Sequence, residues 1–261
     1  MEIRDVLELA RDPRFISGIY NYCDRWCERC PFAARCLLYA QKEEGRMDLL
    51  NRDLNNEAFW EKIAASLAQA LEMLHMIAEE RGIDLDAVDQ SGIENRDSAR
   101  REEIRKHELA KASEEYAEMV NTWFESEQEL FEQKRDELIT MLALETGDEE
   151  VQTTAGGISD AIEVIQWYQD QIHVKLMRAL MQPDVDFELE DDSFPKDSDG
   201  SAKVALIGMD RSIAAWGALR EQFPEKSDSI LTLLLHLDRL RRKTEQCFPA
   251  ARSFVRPGFD E

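Results

Sequence analysis

The sequence is poor in residues that interrupt helices, with 7 prolines and 11 glycines among 261 residues. No segment keeps the strict apolar–polar alternation of a half-buried strand. Together these absences predict an all-α fold, a multi-helix bundle. Basic charge is also scarce: 32 Lys and Arg face 55 Asp and Glu, a net charge of -23. Such a chain repels phosphate backbones and anionic lipid, which excludes nucleic acid as the main partner and a membrane surface as the site of action. No uncharged apolar run approaches a membrane span. The charged opening Met1-Glu-Ile-Arg-Asp has no apolar core behind it, so no signal peptide is expected and the reading is cytoplasmic. Glycine-rich phosphate loops, G-x-S-x-G elbows and H-E-x-x-H pairs are missing, and histidines number only four. Nothing therefore points to phosphate transfer or to Ser or Cys nucleophiles.

Against these absences stands one concentration. Four of the five cysteines, Cys23, Cys27, Cys30 and Cys36, fall within fourteen residues at C-x3-C-x2-C-x5-C spacing. In a reducing cytoplasm, and with an odd count, they do not suggest a disulfide framework. Clustered thiolates suit soft metals, and four of them satisfy either a [4Fe-4S] cluster or structural zinc. Zinc ribbons separate two C-x2-C pairs by some fifteen residues; here one pair and two outliers are crowded together, which suits a cube-shaped cluster better. Arg25, Arg29 and Arg35 would offset the cluster's negative charge, or simply coat the surface. Cys247 is read as a buried small hydrophobe, with the alternative that it replaces Cys23 as fourth ligand.

The part Cys27-Glu-Arg-Cys30-Pro-Phe-Ala-Ala-Arg-Cys36 resembles the cluster loop of endonuclease III-type and adenine DNA glycosylases. It is also similar to the cysteine run of RecB-type iron–sulfur nucleases. From Cys23 onward, the spacing resembles the N-terminal run of the fumarate and nitrate reduction regulator. These likenesses cover about fourteen residues and imply a cluster, not an activity: the glycosylase pattern takes three ligands, matched here by Cys27, Cys30 and Cys36, and the regulator takes three cysteines of the run and one distant cysteine; Cys23, Cys27, Cys30 and Cys36 are the ligand set expected here. The C-x3-C-x2-C start also matches radical SAM enzymes, whose β/α barrel this chain has no strands to build.

Along the chain, residues 1–56 form a cysteine-rich segment packed on the bundle, whose core is 57–183. Residues 184–200 form an acidic loop, and 201–261 a C-terminal helical pair and tail of the same domain. An amphipathic helix is expected over 1–22, broken near Pro13. A strong helix is expected over Glu57–Arg81, its stripe running through Trp60, Ile63, Ala64, Leu67, Leu71, Leu74 and Ala78. A polar connection at 83–97 leads into a long periodic segment from Ser98 to about Leu144, too long to run unbent. The next helix opens at Gly156-Gly157 and stops at Pro183; apolar on two faces, it is expected to be the central helix. Helices at 201–222 and 226–246 flank Phe223-Pro224, and the aromatic tail from Cys247 to Phe259 is expected to pack back on the body.

A second, weaker constellation uses Glu72-x-x-His75 and Asp170-x-x-His173, with Glu163 two turns earlier, in the manner of carboxylate-bundle di-metal sites. The trio Glu163, Asp170 and His173 is expected to be partly buried, with Arg178 or Arg211 as counter-cation. Glu127 and Lys134 lie on an apolar stripe and read as an interhelical ion pair. His107 is expected to be solvated, and His236 a satisfied core residue. The leading reading is a [4Fe-4S] protein with a redox or sensing role and a redox or protein partner. The alternatives are a metal-dependent oxidoreductase with a structural cysteine site and a zinc-stapled interaction scaffold. Whether the protein is an enzyme stays open.

Overall fold

The structure is a computed structural model, and it describes residues 12–43, 57–82, 84, 90–143, 148–181 and 196–260. Every described element is helical: α1 (Leu37–Glu43), α2 (Glu57–Glu80), α3 (Gln90–Lys106), α4 (Glu108–Ser126), α5 (Gln128–Ala143), α6 (Asp148–Leu180), α7 (Asp197–Gln222) and α8 (Ser227–Cys247), with short 3-10 turns between some of them. The fold is all-α. Among the described residues no helix is long and apolar enough to cross a membrane. Of the helix expected over 1–22, residues 1–11 lie outside the described residues and 12–22 form turns, Ile19–Tyr22 among them; of the acidic stretch 184–200, residues 184–195 lie outside and 197–200 open α7 instead of continuing a loop. The chain forms two compact units. One holds residues 1–98 with 256–261, and the other holds 99–255.

In the larger unit, α4, α6, α7 and α8 pack in a closed ring, α4 on α6, α6 on α7, α7 on α8 and α8 on α4, with α5 laid against α4 and α6. This is a four-helix bundle. The long periodic segment breaks where a bend was expected. His107 leaves helical geometry and caps α4, its Nδ1 accepting the Leu109 N–H at 3.1 Å. A capping acceptor satisfies an otherwise orphaned backbone donor, so His107 is a helix start and not the solvated side chain expected of it. A second break falls at Glu127, between α4 and α5. The helix before them begins at Gln90, inside the stretch read as a polar connection.

The central helix is α7, not α6. On α6 one face is buried along Ile158, Ala161, Ile165, Ile172, Leu176 and Ala179, while Val174 on the other face is 58% exposed and Met181 is also exposed. On α7 the buried positions go round the helix, from Ser201, Val204 and Ala205 to Leu206, Met209, Ser212 and Trp216. Small residues make this possible. A Cβ on Gly208 would meet Tyr168 Cδ1 at 2.9 Å and Ile172 Cγ1 at 3.2 Å, so α7 comes to α6 as near as backbone allows. The pair Gly156-Gly157, expected to open α6, instead sits inside it with open space beside both Cα atoms. The helix runs through them because Val151, one turn earlier, is itself buried.

One end of the bundle is aromatic. Trp216 is fully buried; its Nε1 donates to the Tyr116 hydroxyl at 3.1 Å, and its ring meets Trp123 edge-on at 4.9 Å. Phe131 of α5 meets Phe223 at 5.3 Å. Side chains of this size each gain about 1.5–3 kcal/mol on full burial, and edge-to-face pairs add about 0.5–1.5. Replacing Gly208 by Ala forces the buried Tyr168 ring to move and should cost about 1–3 kcal/mol in urea unfolding. Burial also holds the Tyr116 phenol neutral, pushing its pKa from 10.0 up to about 12 against the opposing Trp216 hydrogen bond. Because the folded value lies above the unfolded one, this stability is whole below about pH 10 and fades as the pH rises towards 12. The urea midpoint should fall across that window more steeply in the wild type than in Tyr116→Phe.

Candidate metal centre

Pro31 and the left-handed backbone at Arg25 interrupt the cysteine run, and the chain resolves it into tight turns. Cys23 closes the turn Ile19–Tyr22, Cys27 opens the turn Cys27–Arg29 and Cys30 closes it, and Cys36 closes Ala33–Arg35 just before α1. Each turn is tied by its own backbone bonds, Cys30 N to Cys27 O at 3.2 Å and Cys36 N to Ala33 O at 3.1 Å. Ile16 N reaches Arg35 O at 3.0 Å and closes the loop on itself. Arg25 between them has φ 61, a left-handed conformation that costs a non-glycine residue of order 1–3 kcal/mol. The Trp26 N–H, bonded to Asp24 Oδ1 at 3.2 Å, helps to hold it.

All four cysteines line one pocket, partly open to solvent and walled by Tyr20, Trp26, Tyr39 and Phe259. The four cysteines are half-buried and none of the five is in a disulfide. Burial pushes the Cys30 thiol above its ordinary 9.0. The Phe32 N–H bonded to it acts the other way, and the neighbouring Cys23, Asp24 and Cys36 add to the rise. The Cys23 thiol donates to Tyr20 O at 3.6 Å. Among the described residues, no three Cys, His, Asp or Glu side chains converge on a point where one metal ion would sit.

Phe259 comes from the far end of the sequence. Its ring meets Phe32 edge-on at 5.2 Å, and the Arg256 guanidinium lies 4.8 Å from its centroid. Arg256 in turn is held by Asp260, at 2.9 Å from Nη2. Gly258 lets this turn seat: φ is 74, and a Cβ there would meet Ile16 Cδ1 at 2.8 Å. The tail therefore packs back, and in two pieces. Ala251 and Phe254 are buried in the bundle unit, while 256–260 belong to the cysteine unit. Arg25, Arg29 and Arg35 are all exposed, and Arg29 lies over the Trp26 ring at 4.1 Å. Of the pocket walls, the sequence signalled aromatics near the cysteines and in the tail; that Phe259 closes the pocket follows only from the fold.

Among the described residues the remaining candidates form no metal-holding group. Glu72 and His75 are exposed on α2 in the cysteine unit; Glu163 and Asp170 are exposed on α6 in the bundle. The expected burial of Glu163 and Asp170 with His173 is not met, because both acids fall on the solvent side of α6. His173 is half-buried, with Nδ1 2.9 Å from Ser113 Oγ. That hydroxyl donates to Ala110 O, so the ring nitrogen supplies the proton and ties α6 to α4. Arg178 pairs with Asp197 at 2.7 Å, and Arg211 donates to the Tyr168 hydroxyl. The expected interhelical pair of Glu127 with Lys134 does not form: Glu127, at the break between α4 and α5, pairs with Lys226 of the turn before α8 at 2.6 Å, and Lys134 pairs with Glu137 on its own helix. His236 is hydrogen-bonded as expected, Nε2 to Ala112 O at 2.7 Å, but it is half-buried and not in the core. Cys247 is exposed, near Glu108 and Lys243 in the bundle unit, and not the buried hydrophobe expected.

Comparison with family models, with curated proteins and with solved structures finds no match to this chain.

Replacing Gly258 by Ala should unseat Phe259 and open the pocket. In apo protein, Cys23, Cys27, Cys30 and Cys36 should then react with a disulfide reagent several-fold faster, while Cys247 reacts at its wild-type rate.

Proposed function

We propose that the protein carries one [4Fe-4S] cluster on Cys23, Cys27, Cys30 and Cys36, and that it works in electron transfer or in sensing oxidants in a reducing cytoplasm. The observation that carries this reading is that all four thiols line a single pocket. One C-x2-C pair and two outliers crowded into fourteen residues suit a cube-shaped cluster better than a lone zinc ion. A four-iron cube binds each sulfur through its own iron, so it takes thiols set around a void. The donor set fits that group in three further respects. Thiolates are the ligands such clusters take, the Phe32 N–H is bonded to Cys30, and aromatic walls limit water.

Bound there, the cluster would supply one-electron chemistry at a potential set by burial and by hydrogen bonds to sulfur. The chain's own residues have separate tasks. The Phe32 N–H stabilises negative charge on Cys30, Trp26 and Phe259 shield the pocket, and Arg25 and Arg29 place positive charge at its rim.

Protein purified without oxygen should be brown, with broad visible absorbance that bleaches reversibly on reduction. Ser at position 23, 27, 30 or 36 should abolish the colour and the bound iron and sulfide, whereas Cys247→Ser should keep both. A colourless protein holding one zinc per chain overturns the proposal. Loss of the cluster in Cys247→Ser but not in Cys23→Ser reassigns the fourth ligand.

A further inference from the structure

Every residue lining the cysteine pocket except Phe259 lies between Ile19 and Tyr39, on the short run that carries the thiols. Each of those walls is within four residues of a cysteine, so none can withdraw without dragging a thiol with it. Phe259 can leave and return with all four thiols in place.

The turn that carries Phe259 holds its own shape. Phe259 N and Asp260 N both bond to Arg256 O, at 3.1 and 3.2 Å. The Asp260 carboxylate accepts from Arg256 N at 2.9 Å, from Nε at 3.0 Å and from Nη2 at 2.9 Å, and the guanidinium lies over the Phe259 ring. These bonds lie within the turn and travel with it. Its seat, by contrast, is apolar: Phe259 on Phe32, Gly258 against Ile16 and Ile19, Pro257 beside Gly18. Gly18 and Gly258 have φ of 72 and 74, so turn and seat meet at positions that carry no Cβ. Apolar contact is non-directional, and surfaces joined by it part and close again without bonds to realign. Two residues before the turn the chain is anchored: Phe254 is buried, and Lys203 Nζ donates to its carbonyl at 2.5 Å. An unseated turn therefore stays tethered.

We propose that the turn 256–260 is a gate on the cysteine pocket. It leaves its seat as one piece to let cargo in or out, and its release is the slow step in both directions. As a statement about cluster loading and loss, the gate rests on the [4Fe-4S] reading; as a statement about access to the thiols, it does not. Gating by a tethered segment has a kinetic signature. A reagent attacks the open state alone, so its rate levels off at the opening rate once attack outpaces reclosure.

The test mixes full-length apo protein with rising concentrations of a methanethiosulfonate. The four pocket thiols should reach a plateau rate, the same for two reagents of unlike reactivity, while Cys247 reacts in proportion to reagent. Phe259→Ala should abolish the plateau and react roughly tenfold faster or more at reagent levels where the wild type has levelled off. In cluster-loaded protein, release of iron to a chelator should level off with chelator concentration and speed up by a similar factor in Phe259→Ala. A wild-type thiol rate proportional to reagent throughout overturns the gate, and so does a plateau that survives Phe259→Ala. Iron release indifferent to Phe259→Ala overturns it for cargo. Should the variant lose helix, the wild-type curve alone decides. A protein that takes up no iron and sulfide yet shows the plateau loses the cluster and keeps the gate.

Discussion

The bundle depends on how near α7 can come to α6. At Gly208 no side chain stands between the α7 backbone and the Tyr168 ring, and the buried serines and alanines around it keep the neighbouring approaches short. Close approach brings many weakly attractive atom pairs into range at once, and their sum, not any single bond, holds the two longest helices of the bundle together. Trp216 can then lie fully inside, reaching across to Tyr116 and Trp123 of α4. The polar links at the bundle's rim, such as Lys243 with Glu108, fix positions more than they add stability, because exposed pairs contribute about 0–1 kcal/mol.

The cysteine unit solves a different problem. Its turns are too short to bury a core of their own, and Ile19 is the one residue between 12 and 40 that is fully enclosed. What it has instead is short chain spacing between the cysteines, a loop closed from Ile16 to Arg35, and a wall brought in from residues 256–260. Those features set four thiols around one space while leaving their surroundings polarisable and partly wet.

The fold class could be read from the sequence because helical period survives in single stretches, and the cysteine run because spacing is a local property. Other features were hidden for physical reasons. The centrality of α7 escaped because burial all round by Ala, Gly and Ser leaves no apolar stripe, whereas α6, with large residues on two sides, looked more buried than it is. The start of α6 escaped because a glycine pair is a weak veto once a buried valine anchors the turn before it. The break at His107 depends on a ring nitrogen serving as a cap, a role that sequence seldom marks for histidine. The Glu-x-x-His and Asp-x-x-His spacings were real, but spacing along one helix says nothing of what a second helix brings to meet it.

The seating of Phe259 has a consequence for biogenesis. A ribosome adds the four thiols early and their last wall only after the whole bundle sequence has been made. Until then the thiols lie in a half-built enclosure, open to scavenging metals and oxidants. Any cargo placed there during synthesis would have to be held without the Phe259 ring, so emergence of residues 256–260 acts as a timer on the site.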